Sequence, residues 1–370
     1  MKKILFFYQA GRIEKINDNT PYAKEMFYGY HYFESKGYDT EIIEFEKSKK
    51  FLNKYYFLLF EKRLRNILKL PIYWSFLTNR KNIKKLSNSD YAIFSNNRVG
   101  FASLINITIS KIIRKKPSTL CFVMGLFSRT PKFKFLNPIQ KFFLNYFIQN
   151  MDNLIFLSES EQRYAVNLFK KHSSKMYVLP FAVDLEIWKV NKNIEKKKKI
   201  LFVGNDGFRD FEFAKNLANS MSDKEFVFVT NQLSELDLKD NSVLYKGSWS
   251  NNNLTDLELA NFYNEAFITI VPLVDSLQPS GQSVSLQSIA CGTPVIITDT
   301  EGFWDKNNFE NNNNIILTSQ NDIELWHGLI KKLENDHAFY NKIRSNGLDL
   351  IKNSYNLKDF SKKVENIIIK

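Results

Sequence analysis

The chain has 370 residues, enough for two domains, and its 44% hydrophobic and 25% charged content is that of a globular protein rather than a disordered or fibrous one. Its net charge of +13 is lopsided: residues 1–183 carry 31 Lys and Arg against 13 Asp and Glu, and residues 184–370 carry 21 against 26. No run nears 18 uninterrupted apolar residues, the apolar run Ile4–Tyr8 is too short for a secretory signal, and the two cysteines stand too far apart for a local metal motif. A transmembrane protein, a secreted one and a disulfide scaffold are therefore not expected. Cys121 and Cys291 read as buried thiols, as in a reducing cytoplasm.

Apolar strand-like runs alternate with helix-like runs. In the first half the predicted strands are 4–8, 39–45, 91–95, 119–124, 153–158 and 175–180, with helices over 21–36, 100–113 and from Ser160 onward. The pattern restarts after the lysine run Lys196–Lys199. Strands are predicted at 200–204, 225–230, 242–247, 267–272 and 294–298, with helices at 209–220, 257–264 and 282–291. From Asp322 the tail is helical, with Ile323, Trp326, Leu329, Ile330 and Leu333 at a helix period. Continuous apolar strands between helices predict a parallel sheet covered on both faces, and two such series predict two doubly wound, Rossmann-like α/β domains. The divisions are 1–183, 184–350 and a last helical piece, 351–370, packing back toward the N-terminal domain, with a linker within 181–199. No internal repeat is evident beyond this doubling.

One stretch carries the clearest chemistry. In QPSGQSVSLQSIACGTPVII, 278–297, small polar residues and a glycine stand directly before a helix. Backbone N–H groups at a helix start lack partners and carry partial positive charge, so Ser280, Gly281, Gln282 and Ser283 read as an anion cradle suited to a diphosphate. Gly204 ends the first strand of the same half and allows close backbone approach. Asn205 follows it, and Arg209 can give two parallel bonds to phosphate. Asn231 and the Lys246–Trp249 turn follow the next strand ends and are candidates for holding a base. Gly292 and Pro294 read as a helix stop and a strand start.

At these residues the sequence resembles a family. IleLeuPheValGly at 200–204, ValLeuProPheAlaValAspLeuGluIleTrp at 178–188 and GlnSerIleAlaCysGlyThrProValIle at 287–296 are similar to segments of GT-B nucleotide-sugar glycosyltransferases, closest to glycosyltransferase family 4. The resemblance implies two domains facing across a cleft, a nucleotide-diphosphate sugar donor held by the second, an acceptor held by the first, retention of configuration, and no metal or other cofactor. It also exposes a departure. Where the family carries two glutamates separated by seven residues, this chain has Pro279 beside Gln278, and Gln287. The resemblance places Gln287 at the donor's ribose hydroxyls, which an amide oxygen can meet without charge, and Gln278 or the neighbouring backbone at the transferred sugar. Arg209 and Gln282 are then the candidates for stabilising the leaving diphosphate.

In the first half the resemblance points to Gly11 near the donor phosphates and to Asn96, Arg98 and Gly125 on the acceptor side. The loop 124–129, where the family often places a histidine, has none. The segments 54–70 and 131–147 interleave aromatic and basic residues, and between Lys49 and Asn150 20 bases meet only Glu61 and Asp90. Such helices lie in membrane interfaces, so the expected partners are an anionic membrane surface and a lipid or saccharide hydroxyl acceptor, with a peripheral site on the cytoplasmic membrane. A nucleic-acid binder using the basic half, or a sugar-nucleotide epimerase of the same architecture, are the alternatives. A NAD enzyme is disfavoured, because G-x-G-x-x-G follows neither first strand.

Overall fold

The computed structural model describes residues 1–18, 20–45, 55–114, 117–247 and 254–369. They form two compact units. The first comprises 1–18, 27–179 and 361 onward; the second comprises 20–26 and 180–360. The chain thus changes units near 19, 27, 180 and 361, where the sequence suggested a division at 183 and a return from 351. The strap 20–26 belongs with the second unit although its neighbours on both sides belong to the first.

The first unit is a six-stranded parallel sheet of β1 (Lys3–Tyr8), β2 (Asp39–Glu44), β3 (Tyr91–Phe94), β4 (Ser118–Val123), β5 (Asn153–Phe156) and β6 (Met176–Val178), in the order β2-β1-β3-β4-β5-β6. The second is built from β7 (Lys199–Val203), β8 (Glu225–Val229), β9 (Ser242–Tyr245), β10 (Ile268–Val271), β11 (Val295–Thr298) and β12 (Ile316–Thr318), in the order β12-β11-β10-β7-β8-β9. All the pairings are parallel. The order reverses beside β1 in one sheet and beside β7 in the other. Loops at the carboxyl ends diverge at such a switch point, and a ligand crevice opens there.

Alternate strand residues face one core on each side. In the second unit Ile200, Phe202, Phe226, Phe228, Ile268 and Ile270 pack with Trp326, Ile330 and Leu333 of the helix Ile323–Asn335. The intervening Leu201, Val203, Val227 and Val229 are buried on the other face, as expected for a sheet covered on both sides. Both cysteines are free and buried.

Three expectations need correction. Residues 21–36 do not form one helix: a turn at Glu25–Phe27 and a short helix Tyr30–Ser35 are separated by positive φ at Tyr28 and Gly29. The linker expected within 181–199 comes just before it, between Leu179 and Pro180, and Val183 and Trp188 are buried in the second unit. Residues 131–147 contain a short turn, Lys134–Leu136, before the helix Asn137–Asn150, whose start is set by Pro138. At the far end, Glu365 of the helix Leu357–Ile369 accepts hydrogen bonds from Tyr32 (2.8 Å) and Tyr38 (3.0 Å). These contacts lie within the first unit. Among the described residues no helix is long and apolar enough to cross a membrane.

Candidate functional site

At the switch point of the second unit β7 leads into the loop 204–210 and β10 into the loop 272–281, and the two loops bridge at Arg209 and Leu273. The backbone of Gly281 has φ 81°, a left-handed turn open to glycine, and it starts the helix Gln282–Ala290 with no side-chain cap. A Cβ at this position would meet Val271 at 2.8 Å and Ile297 at 3.0 Å, and would come within 3.4 Å of Arg209 Nη1. Arg209 and the helix start, 72 positions apart in sequence, are therefore neighbours.

This neighbourhood holds buried polar groups without hydrogen-bond partners. Ser280 Oγ, both amide atoms of Gln282, Ser285 Oγ and Arg209 Nη1 have none, though every one of these residues is buried. Arg209 is only 5% exposed. Its Nη1 lies 3.2 Å from the Asp206 carboxylate, outside hydrogen-bonding geometry, and its Nε donates to Val203 O at 3.4 Å. Burial lowers its pKa, with Asp206 opposing, but a guanidinium remains charged. A buried cation, two hydroxyls, an amide and a row of helix N–H groups are donors that an anion rich in oxygen acceptors would satisfy.

The remaining candidates take different positions. Gly204 gives room to Arg209 rather than to the backbone of a loop: a Cβ there would lie 2.4 Å from Arg209 Nε. Asn205 ties three strand-end loops together. It donates to Gly247 O (2.8 Å) and accepts from Thr230 Oγ1 (3.2 Å) and the Asn231 backbone (2.6 Å). The side chain of Asn231 is exposed, and Lys246 bonds the carbonyl of Leu233. Ser248 and Trp249 of the expected base-binding turn, and Lys54 at the start of the segment 54–70, lie outside the described residues. Gln278 is half-buried, and its carbonyl accepts from Ser280 N at 2.7 Å, which shapes the approach to the helix. Ser283 is half-buried on the first turn of that helix. Gln287 is buried and paired: Tyr263 OH donates to its Oε1 at 3.3 Å, and its Nε2 donates to Glu25 at 3.0 Å.

Glu25 is the residue that the sequence did not reveal. It comes from the strap, is 1% exposed, and also accepts from Trp188 Nε1 at 2.6 Å and from Asp184 N at 3.3 Å. Burial pushes its carboxyl up to about 7, against the pull of these donors. No local spacing marks it; only the tertiary contact does.

In the first unit, Gly11 starts the helix Arg12–Asn17 after β1, and Glu44 accepts from the backbone of Arg12 and Ile13. Asn96 caps the helix Asn97–Ala102 by accepting from Val99 N at 3.1 Å. Arg98 is exposed, with its guanidinium 4.2 Å from the Tyr73 ring centre and Arg65 at 4.1 Å from the same ring. Gly125 N donates to Glu161 at 2.8 Å, and Leu126 N does so at 2.7 Å. Glu161 is fully buried and its carboxyl is pushed up to about 7 by burial, which outweighs those backbone bonds and Arg129. Among the described residues no group of three or more His, Cys, Asp or Glu is arranged to hold a metal ion.

No protein-family model matches the chain, and no curated protein matches it. Solved structures do. Sucrose-phosphate synthase from Thermosynechococcus elongatus aligns over 99% of this chain and 98% of its own, with TM-score 0.67 and 14% identity. HepE from Anabaena, solved with UDP and glucose, aligns over all of both chains with TM-score 0.68 and 12% identity. An α-glucosyltransferase solved with UDP and a 13-mer DNA containing an HMU base aligns over 100% of this chain and 99% of its own, with TM-score 0.62 and 15% identity. At such identities the likeness establishes the fold, and the fold is GT-B.

Proposed function

We propose, for a chain with the GT-B fold, that this protein is a glycosyltransferase moving a sugar from a nucleotide-diphosphate sugar to a hydroxyl acceptor. The observation that carries the reading is the set of buried, unpartnered polar atoms of Ser280, Gln282 and Arg209 around the start of the helix Gln282–Ala290. As the bond from sugar to diphosphate breaks, negative charge grows on the leaving oxygens. Arg209, Gln282 and the helix N–H groups are already in place to meet it, without reorganisation at the moment of reaction. Gln287 takes the donor's ribose hydroxyls, and Asn231 and Lys246 border the base. Retention of configuration and independence of metal complete the reading. HepE supplies the first donor to try, since it was solved with UDP-glucose as well as with UDP.

The test is thermal shift against UDP, GDP, ADP and CMP sugars, because a ligand that binds only the native state raises Tm by linkage. One nucleotide series should stabilise the protein, and both Arg209→Ala and Ser280→Ala should reduce the shift. Stabilisation by none of them would sink the donor assignment.

For the acceptor, we propose a lipid or a lipid-linked saccharide on an anionic membrane, with the protein peripheral on its cytoplasmic face. The two aromatic and basic segments adjoin: Lys132 N donates to Ile67 O at 2.7 Å, and Gln140 donates to Leu68 O at 2.8 Å. Phe60, Phe135 and Phe142 are 52%, 76% and 64% exposed, beside exposed Lys132, Lys134 and Lys141. Exposed phenylalanines among lysines suit a lipid surface, and the test below separates it from single-stranded nucleic acid, whose bases stack on such rings too. Each lysine near such a surface contributes about 1 kcal/mol, so replacing Lys132, Lys134 and Lys141 by Gln should weaken binding to anionic vesicles by on the order of a hundredfold. Vesicle co-sedimentation at physiological salt checks this; equal sedimentation of variant and wild type, or displacement of both by DNA, would remove the membrane from the proposal.

A further inference from the structure

Gln287 is the one glutamine of the donor helix whose side chain is held at both ends. Its nitrogen meets Glu25 and its oxygen meets Tyr263. Gln282, five residues earlier on the same helix, is held at neither. An amide has a donor end and an acceptor end of nearly equal size, so a free glutamine can present either. A carboxyl oxygen at 3.0 Å that also accepts from Trp188 Nε1 removes that choice, because only the NH2 end can face it.

Glu25 is itself held firmly. Oε1 accepts from Trp188 Nε1, a group that can only donate, as well as from Gln287, and Oε2 accepts from Asp184 N. The strap is fixed around it by Ala23 N, which donates to Asp256 at 2.8 Å, and by Lys24 N, which donates to Asp184 at 3.1 Å. The Lys24 ammonium also pairs with Glu186 at 3.0 Å. These partners all belong to the second unit. They place one carboxyl, drawn from a remote part of the sequence, against the helix of the candidate site. The Gln287 oxygen, with two lone pairs and one hydrogen bond from Tyr263, retains a further acceptor position.

We propose that Glu25 is a positioning residue of the donor site: by binding the Gln287 nitrogen it makes the Gln287 oxygen the acceptor offered to a hydroxyl of the donor's ribose. The proposal rests on the donor assignment above. It gives the strap 20–26 a role in recognising nucleotide rather than only in joining units. Glu25 touches no reacting atom, so its removal should change donor affinity and hydroxyl selectivity more than turnover.

The test compares UDP, GDP and ADP with their 2′-deoxy and 3′-deoxy forms, titrated by calorimetry into wild type, Glu25→Met and Glu25→Gln. A neutral hydrogen bond is worth about 1 kcal/mol, so wild type should prefer one ribonucleotide over a deoxy form by about fivefold. Glu25→Met keeps the bulk and removes the acceptor; its preference should fall to near one. Glu25→Gln can offer a carbonyl to Trp188 and Gln287 and should retain most of the preference. Loss of stability alone would weaken all nucleotides alike and leave the ratio unchanged. Should Glu25→Met not fold, Glu25→Asp keeps the charge, withdraws it by one methylene and should lose the preference as well. Equal preference in wild type and variants overturns the role of Glu25. Nucleotide binding without any preference in wild type overturns it too, yet leaves the donor site standing. Absence of nucleotide binding in wild type removes both.

Discussion

If the proposed donor site holds, Arg209→Ala should lower kcat for release of the nucleoside diphosphate from its sugar donor by about 10²–10³, the usual effect of removing one preorganised group that meets transition-state charge. The effect is large because Arg209 is a desolvated cation, 5% exposed, and its ion-pair partner Asp206 is not in hydrogen-bonding geometry. In such surroundings charge is poorly screened, so growing negative charge on the diphosphate is strongly favoured. Donor KM should rise less, since the ground-state diphosphate also meets the helix N–H groups. Arg209→Lys should recover part of the rate: it keeps a charge but cannot supply two parallel bonds. Truncation also vacates the space beside Gly204, so Tm must be measured alongside. A folded Arg209→Ala protein that retains more than a tenth of wild-type kcat would exclude this residue from the chemistry.

The second large effect is expected at Glu161. Its carboxylate accepts from the backbone N–H groups of Gly125 and Leu126 and more distantly, at 3.4 Å, from Phe127. Glu161→Ala leaves these buried donors without an acceptor, and each such group costs about 1–3 kcal/mol. A loss of about 3–5 kcal/mol in denaturant unfolding is expected, with the loop 124–129 released. Glu161→Gln should lose less, since its one carbonyl still serves part of the set.

The same carboxyl makes stability depend on pH. Burial holds both Glu161 and Glu25 up to about 7, above the ordinary value of 4.5. Between these values the native chain keeps protons that the unfolded chain has released. The stabilisation from each group is therefore complete below about pH 4.5 and is lost as pH rises through 7. Tm should fall across that window, and Glu161→Gln should flatten the slope in proportion to its share. A slope unchanged in Glu161→Gln would mean that Glu161 does not titrate there.

Much of this architecture is legible from local pattern. Runs such as IleLeuPhePheTyr and IleLeuPheValGly are apolar throughout, which suits strands covered on both faces, and among the described residues 11 of the 12 strands lie where the sequence predicts them. β12 (Ile316–Thr318) falls in a run of only three apolar residues, Ile315–Leu317, flanked by Asn314 and Thr318, whereas the equally short β6 stands in a longer apolar run. The helix start at Gly281 was equally legible, because a left-handed turn followed by unpaired N–H groups is a property of adjacent residues. So was the placement of Arg209 in the same half.

What the sequence by itself determined was thus the two parallel sheets, the helix start at Gly281 and the basic, aromatic character of 54–70 and 131–147. Only the tertiary structure decided how side chains from distant segments pair. It gave the room at Gly204 to Arg209, made Asn205 a tie between three loops, and moved the strap 20–26 into the second unit. It also set a carboxyl beside Gln287, 262 positions away in the chain. The physical reason is that periodicity reports which face of an element is buried, whereas a buried polar side chain is satisfied by whichever donor the fold brings within 3 Å or so, and sequence distance carries no record of that.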